Sequence, residues 1–158
     1  MTRIRENLLL DRRAFARGTA AAAIALALPR GPAFGQDKPQ PWEQQLKKIL
    51  GDAKPAEGKV KLEMPEIAEN GNTVPFQVSV ESAMTDKDSV KAIHIIATAN
   101  PQADVATFHF TPLSGKPFVA SRMRLAKTQD VIALAEMGDG TFQMAKRNVK
   151  VTIGGCGG

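Results

Sequence analysis

The sequence predicts a mainly β protein: an antiparallel β-sandwich of immunoglobulin-like size, with a short N-terminal helix and a flexible, glycine-rich C-terminal tail. Three observations support this fold class. About seven short apolar segments are separated by turn residues, a single segment has helical spacing, and the last five residues are four glycines around one cysteine. Many short strands at regular spacing are typical of a two-sheet sandwich. A chain of 158 residues is long enough for one domain with a real core.

The helix is predicted at Trp42 to Leu50, where apolar residues recur at positions 42, 46, 49 and 50. This spacing places them on one helical face. Gly51 follows and is expected to end the helix.

The predicted strands differ in how far each is buried. In residues 73–80 apolar and polar residues alternate, which indicates a half-buried strand, and Pro75 suggests either an edge strand or a strand start. Residues 90–99 are apolar on both faces, as expected of a central strand that ends at Asn100-Pro101. The other predicted strands are 60–64, 105–110, 118–126, 131–137 and the final segment from Phe142 to Ile153. A turn-rich connection is expected at 112–117 and a turn at 138–140.

The final strand changes phase along its length. Phe142 and Met144 have one parity, whereas Val149, Val151 and Ile153 have the other. Since side chains alternate strictly between the two faces of a strand, this pattern predicts a bulge or turn near Lys146 to Asn148.

Residues 1–35 are interpreted as a cleaved export signal of the twin-arginine type. A basic region with Arg12-Arg13 precedes an apolar run of about ten residues and then small residues. Such a run is too short for a membrane span, and the signal implies a periplasmic destination. The six arginines of this segment carry most of the net charge of +5, while the rest of the chain has 15 basic and 14 acidic residues. The chain outside the leader therefore offers no electrostatic basis for binding nucleic acid.

The predicted functional group is Cys156, the only cysteine, within Gly154-Gly155-Cys156-Gly157-Gly158. Residues 36–153 form the predicted carrier domain, and residues 154–158 form an arm that cannot pack, because glycine has no side chain to bury. A thiolate accepts and releases sulfur groups readily. No histidine or lysine adjoins Cys156 to activate it, so it is expected to be acted upon by other enzymes. A buried, inert cysteine and an incidental cysteine on a flexible tail are the alternatives.

Several segments resemble the SoxY family, the sulfur-carrying subunits of the periplasmic thiosulfate-oxidising system. The resemblance covers the leader and the internal segments, and it is most specific in the C-terminal motif. The segments are 67–75, Asn100-Pro101, 121–129, 133–140 and Val149-Lys-Val-Thr-Ile-Gly-Gly-Cys-Gly-Gly158. Asp11 and Ala16 depart from the usual twin-arginine signal.

The resemblance implies that Cys156 carries the cargo covalently and that Gly154, Gly155, Gly157 and Gly158 form its swinging arm. It implies a non-catalytic subunit with no cofactor of its own, paired in a heterodimer with a small β protein, SoxZ. A haem-containing conjugating enzyme, a sulfate-releasing hydrolase and a sulfane dehydrogenase would load and process the tethered group. Neither nucleic acid nor stable membrane insertion is expected.

Two other functions fit parts of the sequence. Gly157-Gly158 would suit a ubiquitin-like sulfur carrier that forms a C-terminal thiocarboxylate, although an exported protein has no ATP supply for that activation. A structural subunit of a periplasmic complex would not need Cys156 at all. An enzyme is not supported, since no acid/base pair or nucleophile triad is recognisable.

Five further residues are weaker candidates for a site. His94 and His109 are the only histidines, and without a second ligand at suitable spacing they do not predict a metal site. Arg122 and Arg124 share one strand face and could bind sulfate-like anions or an acidic partner, or could simply be solvated. Trp42 is expected to pack the N-terminal helix, with partner contact as the alternative.

Overall fold

A computed structural model of the chain describes residues 39–86 and 88–154. The predicted export signal, residues 1–35, lies outside the described residues. So do Gly155, Cys156, Gly157 and Gly158. The predictions for the domain and for Gly154, the first residue of the predicted arm, can therefore be compared with the structure.

One helix and eight strands make up the described part of the chain. Helix α1 spans Pro41–Leu50. The strands are β1 (Val60–Glu63), β2 (Ile67–Asn70), β3 (Val74–Val80), β4 (Val90–Ala97), β5 (Asp104–His109), β6 (Phe118–Met123), β7 (Gln129–Met137) and β8 (Phe142–Ile153). A single 3-10 turn, Pro112–Ser114, lies in the predicted connection before β6.

The strands form two sheets, which confirms the predicted fold class. One sheet has the order β1-β3-β6 and the other β2-β8-β7-β4-β5. The pairs are antiparallel except for β2 and β8, which run parallel with Ala68 opposite Val151. Strand β2 was not among the predicted strands. Its four residues include one buried side chain, Ala68, so its sequence shows no clear alternation of apolar and polar residues.

The main core lies between the two sheets. Its fully buried members include Val74 and Val78 from the smaller sheet and Ile93, Ile95 and Val131 from the larger one. Strand β4 pairs with β5 on one side and β7 on the other, so the prediction of a central strand is confirmed. Phe108 and Phe110 also pack against this core.

Helix α1 covers part of the outer face of the larger sheet. Trp42, Leu46 and Ile49 pack on a second apolar cluster, formed by Ile96, Ala103, Ile132 and Met144. The predicted packing role of Trp42 is thereby confirmed. The helix ends where predicted, since Gly51 adopts a φ of 59° that favours glycine. Within the described residues, no helix has the length and apolar character needed to cross a membrane.

The bulge predicted near Lys146 to Asn148 is wrong. Strands β7 and β8 pair without a register shift from Gln129 opposite Val149 to Glu136 opposite Phe142. The change of phase has another cause, because each face of β8 contacts a different apolar cluster. Met144 faces the helix, whereas Val149 and Val151 face the main core. An uninterrupted strand between two cores gives the same sequence pattern as a bulged strand with one core.

Pro75 lies at the start of a strand, which was one of the two predicted alternatives. It is the second residue of β3, which is the central strand of its sheet. The pairing with β1 covers only Gln77 to Val80, so β3 has no neighbour on that side at Pro75. The missing N–H of proline therefore costs no ladder hydrogen bond there.

Candidate functional site at the base of the tail

The end of β8 is held from both sides, which fixes the point where the C-terminal tail leaves the domain. On one side Gly71 N–H donates to the Ile153 carbonyl at 2.7 Å. On the other side Val151 N–H donates to Thr128 Oγ1 at 2.9 Å. Because β8 is bonded on both sides up to Ile153, the tail has a defined starting position.

A pair of side-chain amides organises the segment beside β8. Asn100 Nδ2 donates to the Arg124 carbonyl at 2.8 Å, and Asn100 Oδ1 accepts from Ala126 N–H at 2.9 Å. The buried Gln129 donates through Nε2 to Asn100 Oδ1 at 2.8 Å and to the Lys127 carbonyl at 3.1 Å. Its Oε1 accepts from Ala99 N–H at 2.7 Å. Residues 124–127, which lack strand pairing, are thereby ordered by side chains.

Gly154 passes directly against this ordered segment. A Cβ atom at position 154 would collide with the carbonyl oxygen of Ala126. Only glycine leaves room for this close approach of the two backbones. We call Gly71, Asn100, residues 124–129 and residues 151–154 together the tail base.

The tail base carries exposed cations. Arg124 and Lys127 flank Ala126, and Arg122 lies on β6 opposite Pro75; all three side chains are exposed. Within residues 39–86 and 88–154, none of the three forms an ion pair. The acidic residue that is next along the chain, Asp130, is engaged by Lys146 at 3.4 Å and by Asn148 at 2.8 Å. Residues 120–129 contain three cations and no carboxylate.

The two histidines lie on β4 and β5, outside the tail base. The half-buried His94 has its Nδ1 atom 3.0 Å from Thr107 Oγ1, and its Nε2 has no hydrogen-bond partner among the described residues. Burial lowers the pKa of His94 below 6.5, and the nearby His109 adds to this, against the attraction of Glu136 and Asp104. No cluster of three or more potential metal ligands occurs among the described residues.

The structure describes only some of the predicted site residues. Gly154 lies at the tail base, whereas Cys156, Gly155, Gly157 and Gly158 are outside the described residues. Arg124 is brought to the tail base and Arg122 sits farther along β6. Asn100, Thr128 and Gln129 were missed as parts of a site, since Asn100 was interpreted only as a strand end. The sequence does contain a signal for them, since two amide residues, Asn100 and Gln129, adjoin apolar strands. Buried polar side chains in such places need hydrogen-bond partners.

Comparison with known proteins identifies the family. A family model described as "Sulfur oxidation protein SoxY" matches residues 46–156. The solved structure of the sulfur carrier protein SoxY from Chlorobium limicola f thiosulfatophilum has 34% sequence identity and a TM-score of 0.59, and it covers 70% of this chain and 94% of that one. The chain belongs to the SoxY family. This confirms the resemblance inferred from the sequence.

Other solved structures share only the fold with this SoxY-family chain. A superoxide reductase (neelaredoxin) from Ignicoccus hospitalis has 19% identity and a TM-score of 0.53, covering 68% of this chain and 90% of that one. A putative superoxide reductase from Thermotoga maritima has 16% identity and a TM-score of 0.50, covering 62% and 87%. A search among curated proteins finds no match. The sandwich alone therefore does not specify function.

Four of the segments that carried the resemblance meet in space. Residues 67–71, Asn100, 121–129 and 149–154 are distant in sequence, yet each contributes to the tail base. In this SoxY-family chain these four segments thus converge on the point where the C-terminal tail leaves the domain.

Proposed function

We propose that this chain is a periplasmic carrier of sulfur intermediates in thiosulfate oxidation, with the cargo bound covalently to Cys156. The observation that carries the proposal is the tail base, where motifs from four parts of the chain fix the exit of a tail that bears the only cysteine. From Ile153, three residues span up to roughly 10 Å, so the thiol can reach beyond the domain into a partner's cleft.

The chemistry requires a thiolate and an external oxidant. Cys156 and thiosulfate together lose two electrons as a sulfur–sulfur bond forms between them, and a haem-containing partner enzyme accepts the electrons. Hydrolysis then releases the terminal sulfonate as sulfate and leaves a persulfide on Cys156. A sulfane dehydrogenase oxidises the remaining sulfur. The chain itself is non-catalytic and needs no cofactor, because thiolates take part in such exchanges without further machinery.

The partners and compartment follow from the family and the leader. A SoxZ-like subunit would form the heterodimer, and the twin-arginine signal in residues 1–35 would export the folded protein. An oxidising compartment suits a lone cysteine, because no second cysteine is present to form an intramolecular disulfide with it.

Cys156→Ser tests the covalent step. We expect complete loss of thiosulfate oxidation by the reconstituted system and no change in the denaturation midpoint, because the substitution lies beyond the last residues of the core. Intact mass spectrometry of the wild-type protein during turnover should show sulfur adducts on the C-terminal peptide. An unmodified mass during turnover, or full activity of the serine variant, would overturn the proposal.

Deleting Gly158 separates this function from a ubiquitin-like sulfur carrier. A carrier that works through Cys156 should keep most of its activity, because the thiol and its neighbours on both sides remain. A thiocarboxylate carrier would lose all activity, because the activated carboxylate would no longer follow Gly-Gly. The same mass measurement locates any added sulfur on Cys156 or on the terminal carboxylate.

A further inference from the structure

We propose that Arg124 and Lys127 form an anion-binding site at the tail base, which receives the sulfonate end of the group carried on Cys156. The inference rests on the proposed function and adds to it a binding site for the anionic cargo. The domain then acts as a holder for its own loaded arm between visits to partner enzymes.

The reach of the tail matches the position of these cations. Gly154 lies against Ala126. Cys156 follows Gly154 by two residues, and Arg124 precedes Ala126 by two residues, a span of up to about 7 Å in each case. Residues 124–128 lead into β7, which is antiparallel to β8, so the two segments run in opposite directions here. Arg124 therefore lies within the span that two residues after Gly154 can cover.

The cations are available and their backbone is fixed. Neither side chain forms an ion pair with a described residue, and both are exposed. The carbonyl groups of Arg124 and Lys127 each accept a hydrogen bond, from Asn100 and Gln129 respectively. Because this backbone is already ordered, only the side chains have to lose conformational freedom when an anion binds.

The cargo has the complementary chemistry. A thiosulfate-derived group ends in a sulfonate, which is anionic at any physiological pH and has three acceptor oxygens. Arginine binds such groups through two parallel N–H donors, and lysine adds a point charge. A persulfide left after sulfate release lacks the three oxygens and would be held less well. The site therefore distinguishes loaded from processed arms.

The test uses a chemically loaded protein and needs no partner enzyme. Tetrathionate reacts with the Cys156 thiolate to form a Cys–S–S–sulfonate and release thiosulfate, which intact mass verifies. Two-dimensional NMR then compares the loaded and free proteins. We expect shifts of the Arg124 Nε–H signal and of the Lys127 and Gly154 amides on loading, with Arg122 unaffected. The shifts should be lost in about 1 M salt, where the screening length falls to ~3 Å.

Variants and a neutral cargo supply the controls. In the double variant R124Q/K127Q the Gly154 shift on loading should disappear, whereas R122Q should retain the wild-type response. Alkylation of Cys156 with iodoacetamide adds an uncharged group and should leave Arg124 unshifted. Loaded protein without a response at Arg124 and Lys127 overturns the anion site while leaving the carrier function intact. If the Cys156 thiol forms no adduct with tetrathionate, both proposals are overturned. If the uncharged iodoacetamide adduct shifts the Arg124 and Lys127 signals as much as the sulfonate does, the contact does not depend on charge and the anion site is overturned.

Discussion

At the scale of single residues, the Asn100 side chain joins three groups of the tail base. It contacts Arg124, Ala126 and Gln129, all within 2.9 Å. Arg124 and Ala126 lie between β6 and β7, where there is no strand pairing, so the Asn100 side chain satisfies backbone groups that a strand partner would otherwise bond. An unsatisfied polar group in such a partly buried place costs more than the bond itself contributes.

Asn100→Ala should therefore destabilise the domain by about 1–3 kcal/mol, since the Arg124 carbonyl, the Ala126 N–H and the Gln129 amide lose their partner. Chemical denaturation measures the loss. Asn72→Ala is the matched control, because Asn72 is an exposed asparagine in a turn and should change stability by less than about 0.5 kcal/mol. Equal effects of the two substitutions would contradict the assigned role.

Gly154→Ala tests the close approach to Ala126. The added methyl cannot be accommodated beside the carbonyl, so either the tail or residues 124–127 must move. The hydrogen bond from Gly71 to Ile153 should weaken, and we expect amide exchange of Gly71 to become at least about tenfold faster, which corresponds to roughly 1.4 kcal/mol. Hydrogen exchange followed by NMR checks this.

Gly155→Ala is the control one residue along the tail. It should leave the exchange rate of the Gly71 amide unchanged, because the hydrogen bond to Ile153 depends on the path of the chain up to Gly154. If Gly154→Ala also leaves Gly71 unchanged, the chain does not need glycine at position 154.

At the scale of elements, β8 combines two tasks. One face closes the main core through Val149, and the other supports helix α1 through Met144. Its last residues, 150–153, also pair with β2 and lead to Gly154. A strand whose two faces contact different cores does not show one continuous alternating pattern. The change of pattern in β8 was therefore interpreted as a bulge or turn.

Leu46→Ala tests how α1 is attached. Leu46 is half-buried on the second cluster, so we expect a loss of about 1–2 kcal/mol in the free energy of unfolding. Lys48→Ala, on the exposed side of the same helix, should have little effect. The measurement is urea denaturation followed by Trp42 fluorescence, which reports on the same cluster. A Leu46 variant as stable as wild type would show that the helix contributes no packing energy.

At the scale of the whole molecule, the domain fixes the point at which the C-terminal tail begins. The same sandwich occurs in superoxide reductases with under 25% identity, so the fold sets no activity. In this chain four segments that are distant in sequence meet at the tail base, and the only cysteine of the chain follows it. We expect substitutions in the core to alter stability first and cargo transfer only indirectly.

His94 makes global stability depend on pH. Its pKa is lowered in the fold, chiefly by burial, so the folded state favours the neutral ring. The unfolded chain binds a proton near pH 6.5, and protonation therefore favours unfolding. The contribution is present above about pH 6.5 and is lost as the pH falls through the folded pKa. Denaturation midpoints at pH 7.5 and at pH 5.5 should show this loss.

His94→Gln should reduce the difference between the two pH values. His109→Gln is the matched control and should retain most of the difference, because His109 is an exposed histidine on the neighbouring strand. A His94 variant with the same pH dependence as wild type would assign the effect to other groups.

The sequence determined the fold class, the helix, most strands and the family, because these depend on local periodicity and on contiguous motifs. Strand β2, the second core and the tail base were decided by the tertiary structure. Hydrogen bonds such as those from Ala126 to Asn100 and from Gly71 to Ile153 join residues 26 and 82 positions apart. Periodicity carries no information about such distant pairs, since it records which face of an element is buried and not which element buries it.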